Sequence, residues 1–198
     1  MCSLREQSLR RALQVKAGVV RAERMRKVLD PPRALIADYL NDEEPAAALW
    51  PGLLHTVFQH GSRETHIERL GPTAQVAFLI NRLHAEVVNG GFSQFFSNSS
   101  GDFTSETIRA LETVGSTLSL GLLREAVALF PGGQAPRDRD LRCELLFAFE
   151  QEQPKFFDEI DATYYRDVDA LGTSPKEDLL GLVVKLMRAH SDESVVVG

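Results

Sequence analysis

The sequence predicts an all-α protein: a single compact domain of about eight helices with a basic N-terminal helical arm. Three observations predict it. Apolar residues recur at helical spacing along most of the chain, and no stretch alternates apolar and polar residues as a strand would. Most prolines and the paired glycines fall at or near the ends of these periodic stretches, although Gly18 lies inside the first and weakens it. Hydrophobic content of 43% and charged content of 25% are those of an ordinary globular protein.

The arm comes first. Residues 3–29 place Leu9, Leu13, Ala17 and Val20 near helical spacing with basic side chains between them, and Asp30-Pro31-Pro32 stops the run. The division is therefore an arm over residues 1–30 and a domain over residues 31–198. Residues 33–40 and 46–60 form two helix candidates, the second with Trp50, Leu53, Leu54, Val57 and Phe58 on one face. Residues 65–70 are a further short piece before Gly71-Pro72.

Residues 73–88 give the clearest helix. Val76, Leu79, Ile80, Leu83 and Val87 follow its period, Pro72 suits its first turn, and Asn89-Gly90 marks its end. The next fourteen residues, Asn89 to Asp102, read NGGFSQFFSNSSGD. This box is expected to be a loop. Its glycines allow the turn, Phe92, Phe95 and Phe96 pin it to the core, and Asn98, Ser99 and Ser100 satisfy backbone groups locally. Asp102 or Thr104 would cap the following helix. Helices are then expected over 105–114 and 118–130, from Asp138 or Asp140 through Phe149, from Pro154 through Tyr164, and from the capping box Ser174-Pro175-Lys176-Glu177 onward.

Composition narrows the function. Cys2 and Cys143 form no disulfide framework, and Cys143 reads as a small core filler. No apolar run approaches the ~20 residues of a membrane span, and no signal peptide is visible, so the cytoplasm and no membrane partner are expected. His55, His60, His66, His84 and His190 lack metal-ligand spacing, and the side chains of His84 and Glu86 leave a helix on different faces, so no metal and no cofactor are expected. Ser93 lacks the nucleophile elbow, and no phosphate-binding lysine follows a glycine-rich turn.

Charge is the clearest pointer to a partner. The net charge is −6, yet residues 1–33 hold nine basic and three acidic side chains, and the remainder holds thirteen basic and twenty-five acidic. Glu144, Glu150, Glu152, Asp158, Glu159, Asp161, Asp167 and Asp169 crowd one segment against Lys155 and Arg166. Two of them in contrasting environments could serve acid–base chemistry, or all could be a solvated helix face. As a partner site, they could occupy the basic groove of a nucleic-acid-binding protein, which spends its lysines and arginines on a phosphate array. The apolar stripe Phe156, Phe157, Ile160 and Tyr164 would then turn inward and leave these acids to water. The thin apolar stripe of the arm predicts a loosely packed or partly disordered segment; the alternatives are contact with nucleic acid or a membrane, or docking on this acidic surface or on a second subunit, as in a homodimer.

The box adds a resemblance. NGGF-x-QFF-SNSSGD and the helix that follows it are similar to the signature of a bacterial family of unknown function that includes a DNA-mimic protein, over roughly residues 70–165. That relative is an acidic all-α protein that binds a transcription factor in place of DNA. The resemblance implies a non-enzymatic acidic protein that engages a basic DNA- or RNA-binding protein, such as a transcription regulator, with no direct nucleic-acid contact. The alternative is a small-ligand-binding protein or enzyme that uses Asn89, Gly90, Gly91, Phe92, Gln94, Phe95, Phe96, Asn98, Gly101 and Asp102.

Overall fold

The computed structural model describes residue 67 and residues 70–168 and 175–190. The arm, the two helices expected before residue 61, Asp169 and the C-terminal tail lie outside the described residues. Among the described residues there are six α-helices and no strand. They are α1 (Pro72–Ser97), α2 (Thr104–Val114), α3 (Leu118–Val127), α4 (Arg139–Glu152), α5 (Phe156–Asp167) and α6 (Leu179–Ala189). None is long and apolar enough to cross a membrane.

The central element is α1, which packs against α2, α4, α5 and α6. Its sequence explains this. Ala77, Ile80, Leu83 and Val87 are buried, and Ala74 and Phe78 extend the apolar surface round the helix. Leu111 of α2, Leu123 of α3, Leu146 of α4, Ile160 and Tyr164 of α5, and Val183 and Met187 of α6 close the same core. The stripe Phe157, Ile160 and Tyr164 does turn inward, with Phe156 partly buried beside it.

The box is not a loop. α1 does not end at Asn89 but kinks at Gly90 and Gly91 and resumes as helix to Ser97; a 3-10 turn, Ser99–Phe103, completes the box. Gly90 has φ −160°, which any residue can adopt, whereas Gly91 has φ 74° and ψ −177°, a region essentially closed to side chains. Only one of the two glycines is therefore required by backbone geometry. The second half of the helix is worth forming because it carries three rings inward. Phe92, Phe95 and Phe96 are fully buried, as anchoring requires. Phe92 meets Tyr164 edge-on at 5.8 Å, and Phe96 meets Phe130 at 5.0 Å. Each such ring gains about 2–3 kcal/mol on burial.

The caps differ from expectation. Neither Asp102 nor Thr104 caps α2; its N-cap position is Phe103, and Thr104 Oγ1 donates to Gly101 O. Asp138 does cap α4, accepting from Leu141 N. α5 starts at Phe156, two residues after Pro154. The expected helix start at Pro175 is displaced to Leu179, where Asp178 accepts from Gly181 N. Glu177 is drawn elsewhere, and Cys143 is only half-buried, near Ser97 O.

Candidate functional site

Two sets of acidic side chains can be told apart by where they point. The first set holds the box in place. Kinking α1 leaves backbone groups without helical partners, and α5 supplies substitutes from two residues one turn apart. Asp161 Oδ1 accepts from Phe92 N at 2.9 Å, and the Tyr165 hydroxyl donates to Val87 O at 2.9 Å while facing the Gly91 N–H. Asp161 thereby caps the helical segment that restarts at Phe92 from a distant part of the chain. A carboxylate suits this place because a helix N-terminus presents unpaired N–H groups and positive charge. Burial raises the Asp161 carboxyl above its ordinary value; the Phe92 N–H opposes this, and nearby Asp158 adds to it.

Glu86 gathers the rest of the box. Its carboxylate accepts from Gln94 Nε2 at 2.7 Å, Asn98 Nδ2 at 2.8 Å and Ser100 Oγ at 2.9 Å, with Arg82 at 3.6 Å. Burial pushes its pKa up, but these donors outweigh burial and hold it below the ordinary value. Asn89 Nδ2 donates to Gln94 Oε1, and Ser93 Oγ to Glu150 at 2.6 Å. Asn98 and Ser100 therefore serve a buried carboxylate and not the neighbouring backbone.

Arg142 closes the box from the other side. It is fully buried, and its guanidinium makes five hydrogen bonds. They run to Phe96 O, Pro136 O, Arg137 O, Asn98 O and Asp102 Oδ1, at 2.6 to 3.1 Å. Gly101 passes close above it: a Cβ there would lie 2.6 Å from Arg142 Nε. The box thus spends its polar side chains internally.

Glu177 likewise supports the fold, away from the box. Its carboxylate accepts from Thr117 N, Leu118 N and Ser119 N and from the hydroxyls of Ser116 and Ser119. It caps α3 across the fold, at a helix start where Thr117 makes no side-chain cap of its own. Burial raises its pKa, and these donors bring it below the ordinary value.

The second set faces water. Asp158 and Glu159 on α5 and Glu144 and Glu152 on α4 are exposed, as is Asp140 at the start of α4. None of these five makes an ion pair with another described residue. The expected partner face is thus smaller than the sequence suggested. Asp161 and Glu150 are half-buried and turned to the box. Asp167 is buried between Arg166 and Lys176, at 2.8 and 3.0 Å, and the Arg166 hydrogen bonds hold its carboxyl at about 2. Among the described residues no group of three or more His, Cys, Asp or Glu side chains could hold a metal ion.

Sequence reading gave Arg142 no role, weighed Glu86 only beside His84 as a metal ligand, and read Glu177 only as part of a local capping box. Glu86 falls among Leu79, Leu83 and Val87 on the buried stripe of α1, and Arg142 shares its stripe with Leu145, Leu146 and Phe149 on α4. A charge on an apolar stripe is the signal that could have found both, because such a charge must be paired or hydrogen-bonded.

No curated protein and no solved structure matches the chain significantly. A family model described as DMP19-like protein matches residues 68–190, which include the whole box and all six helices. The match spans more than half of the chain, and the protein belongs to the DMP19-like family.

Proposed function

We propose that this protein is a non-enzymatic, cytoplasmic DNA mimic whose exposed acids engage a basic DNA- or RNA-binding protein such as a transcription regulator. The observation that carries this reading is the separation of the two acidic sets. Glu86, Asp161 and Glu177 accept hydrogen bonds that tie elements together, whereas Asp140, Glu144, Glu152, Asp158 and Glu159 make no side-chain hydrogen bond or ion pair within the described residues, Asp140, Asp158 and Glu159 lying in the first turns of α4 and α5. Helical geometry gives the latter a suitable pitch: Asp140 and Glu144, four residues apart, lie about 6 Å apart along the axis. Membership of a family that includes a DNA mimic supports the same reading.

Such a surface acts by long-range attraction. It speeds encounter with a cationic groove, and its affinity falls as salt rises. The test is affinity capture from a bacterial lysate at low and high salt, followed by titration of the purified partner against a labelled DNA duplex. The reading requires that this protein displace the duplex. A captured partner that binds duplex and protein together, at separate sites, would refute it.

A further inference from the structure

Two large apolar side chains of α4 stand exposed in the acidic surface. Phe147 is 65% exposed and Leu141 is 48% exposed, both on α4. Their exposure follows from the stripe. Arg142, Leu145, Leu146 and Phe149 face inward, so Asp140, Glu144, Phe147 and Gln151 share the outward row, at spacings of four, three and four residues, with Leu141 and Ala148 alongside. A ring in the midst of exposed carboxylates contributes nothing to mimicry of phosphates. It does offer a hydrophobic contact that desolvates on docking, and aromatic side chains are the commonest anchors of protein interfaces.

We infer that Phe147, flanked by Leu141, is the apolar anchor of the docking surface, and that its occupant is a basic amphipathic helix whose lysines or arginines flank apolar side chains. This rests on the reading of the acidic surface as a partner site. Charge complementarity selects the cations: Asp140 and Glu144 share the outward row with the exposed ring over two turns of α4. The apolar half of the occupant follows from Phe147 and Leu141. The carboxylates set the rate of encounter and its salt dependence, and the ring sets the residence time. A basic protein without an apolar strip would bind briefly, so the anchor distinguishes one cationic partner from another.

The test uses the full chain and two synthetic helical peptides of equal charge and length, one of lysine and leucine in amphipathic register and one of lysine and glutamine. Wild type should bind the leucine peptide roughly tenfold more tightly. Phe147→Ala should erase that preference, through faster dissociation, with the slope of affinity against salt unchanged. Glu144→Gln with Asp158→Asn should weaken both peptides and flatten the slope. Because these side chains are exposed, unchanged thermal melts verify that each variant is folded. Equal binding of the two peptides by wild type, or a preference that survives Phe147→Ala, overturns the anchor and leaves the acidic surface standing. Failure of both peptides to bind at low salt overturns the acidic surface as well.

Discussion

Substituting the two adjacent glycines of the kink one at a time tests the account of the box. Gly91→Ala meets two obstacles. Its φ of 74° and ψ of −177° lie where a side chain costs about 1–3 kcal/mol. Its new Cβ would also overlap the Asp161 carboxylate, whose Cγ would be only 2.7 Å away. Asp161 must then move, and its hydrogen bond to Phe92 N is lost or lengthened, at about 1.5–3 kcal/mol for a charged acceptor. Together these predict a loss of about 2.5–6 kcal/mol, or roughly 5–24 °C in melting temperature for a domain of this size. Gly90→Ala meets neither obstacle in the same form. Its φ of −160° is ordinary, and its Cβ would press on the Gln94 side chain, which can swing aside. It should cost about 2 kcal/mol, because moving that side chain displaces its hydrogen bonds to Asn89 and to the Glu86 carboxylate. Chemical denaturation of both variants gives the comparison. A Gly91→Ala protein as stable as Gly90→Ala would show that the kink and its Asp161 cap do not hold the box.

Three further substitutions probe the same framework. Phe95→Ala removes a fully buried ring and should cost about 3–5 kcal/mol by denaturant titration; a melt unchanged by it would place the ring in solvent. Arg142→Met takes the guanidinium donors from Phe96 O and Asp102 and leaves Asn98 O with Gly101 N alone; it should cost about 3–5 kcal/mol, whereas an unchanged midpoint would mean that water replaces the guanidinium freely. Glu177→Gln should cost about 2–3 kcal/mol at neutral pH. The folded Glu177 carboxyl titrates below its ordinary 4.5, so its contribution is complete above that pH and is lost as pH falls through the lower folded value. The gap between wild type and Glu177→Gln should therefore narrow on acidification below 4.5, and a gap independent of pH would contradict the assignment.

What could be read from the sequence was the part governed by local periodicity. The stripe of α1, the inward turn of Phe157, Ile160 and Tyr164, and the burial of Phe92, Phe95 and Phe96 all follow from side-chain spacing. What could not be read was decided by residues far apart in the chain. Asn89-Gly90-Gly91 looks like a helix terminus, and alone it would be one. Asp161 and Tyr165, some seventy residues later, supply the partners that let the helix restart. Ser174-Pro175-Lys176-Glu177 looks like a local capping box, but Glu177 caps α3 across the fold. Local signals for turns and caps lose when a distant carboxylate offers buried donors a better acceptor. The same cause thinned the predicted acidic face. Asp161 and Asp167 are as acidic in sequence as Asp158 and Glu159, and only tertiary partners separate those that support the fold from those left to solvent.

The proposed function depends on that separation, and one competition experiment tests it most directly. A labelled DNA duplex bound to the captured basic partner is titrated with wild type and with the variant Glu144→Gln, Asp158→Asn, Glu159→Gln, which keeps shape and removes three outward charges. Each exposed change should move stability by no more than ~0.5 kcal/mol. The account predicts that the variant melts within a few degrees of wild type yet needs at least about tenfold more protein to displace the duplex, because each lost tenfold is only 1.4 kcal/mol of electrostatic attraction. Displacement by the variant at the wild-type concentration would contradict the claim that these outward acids stand in for DNA.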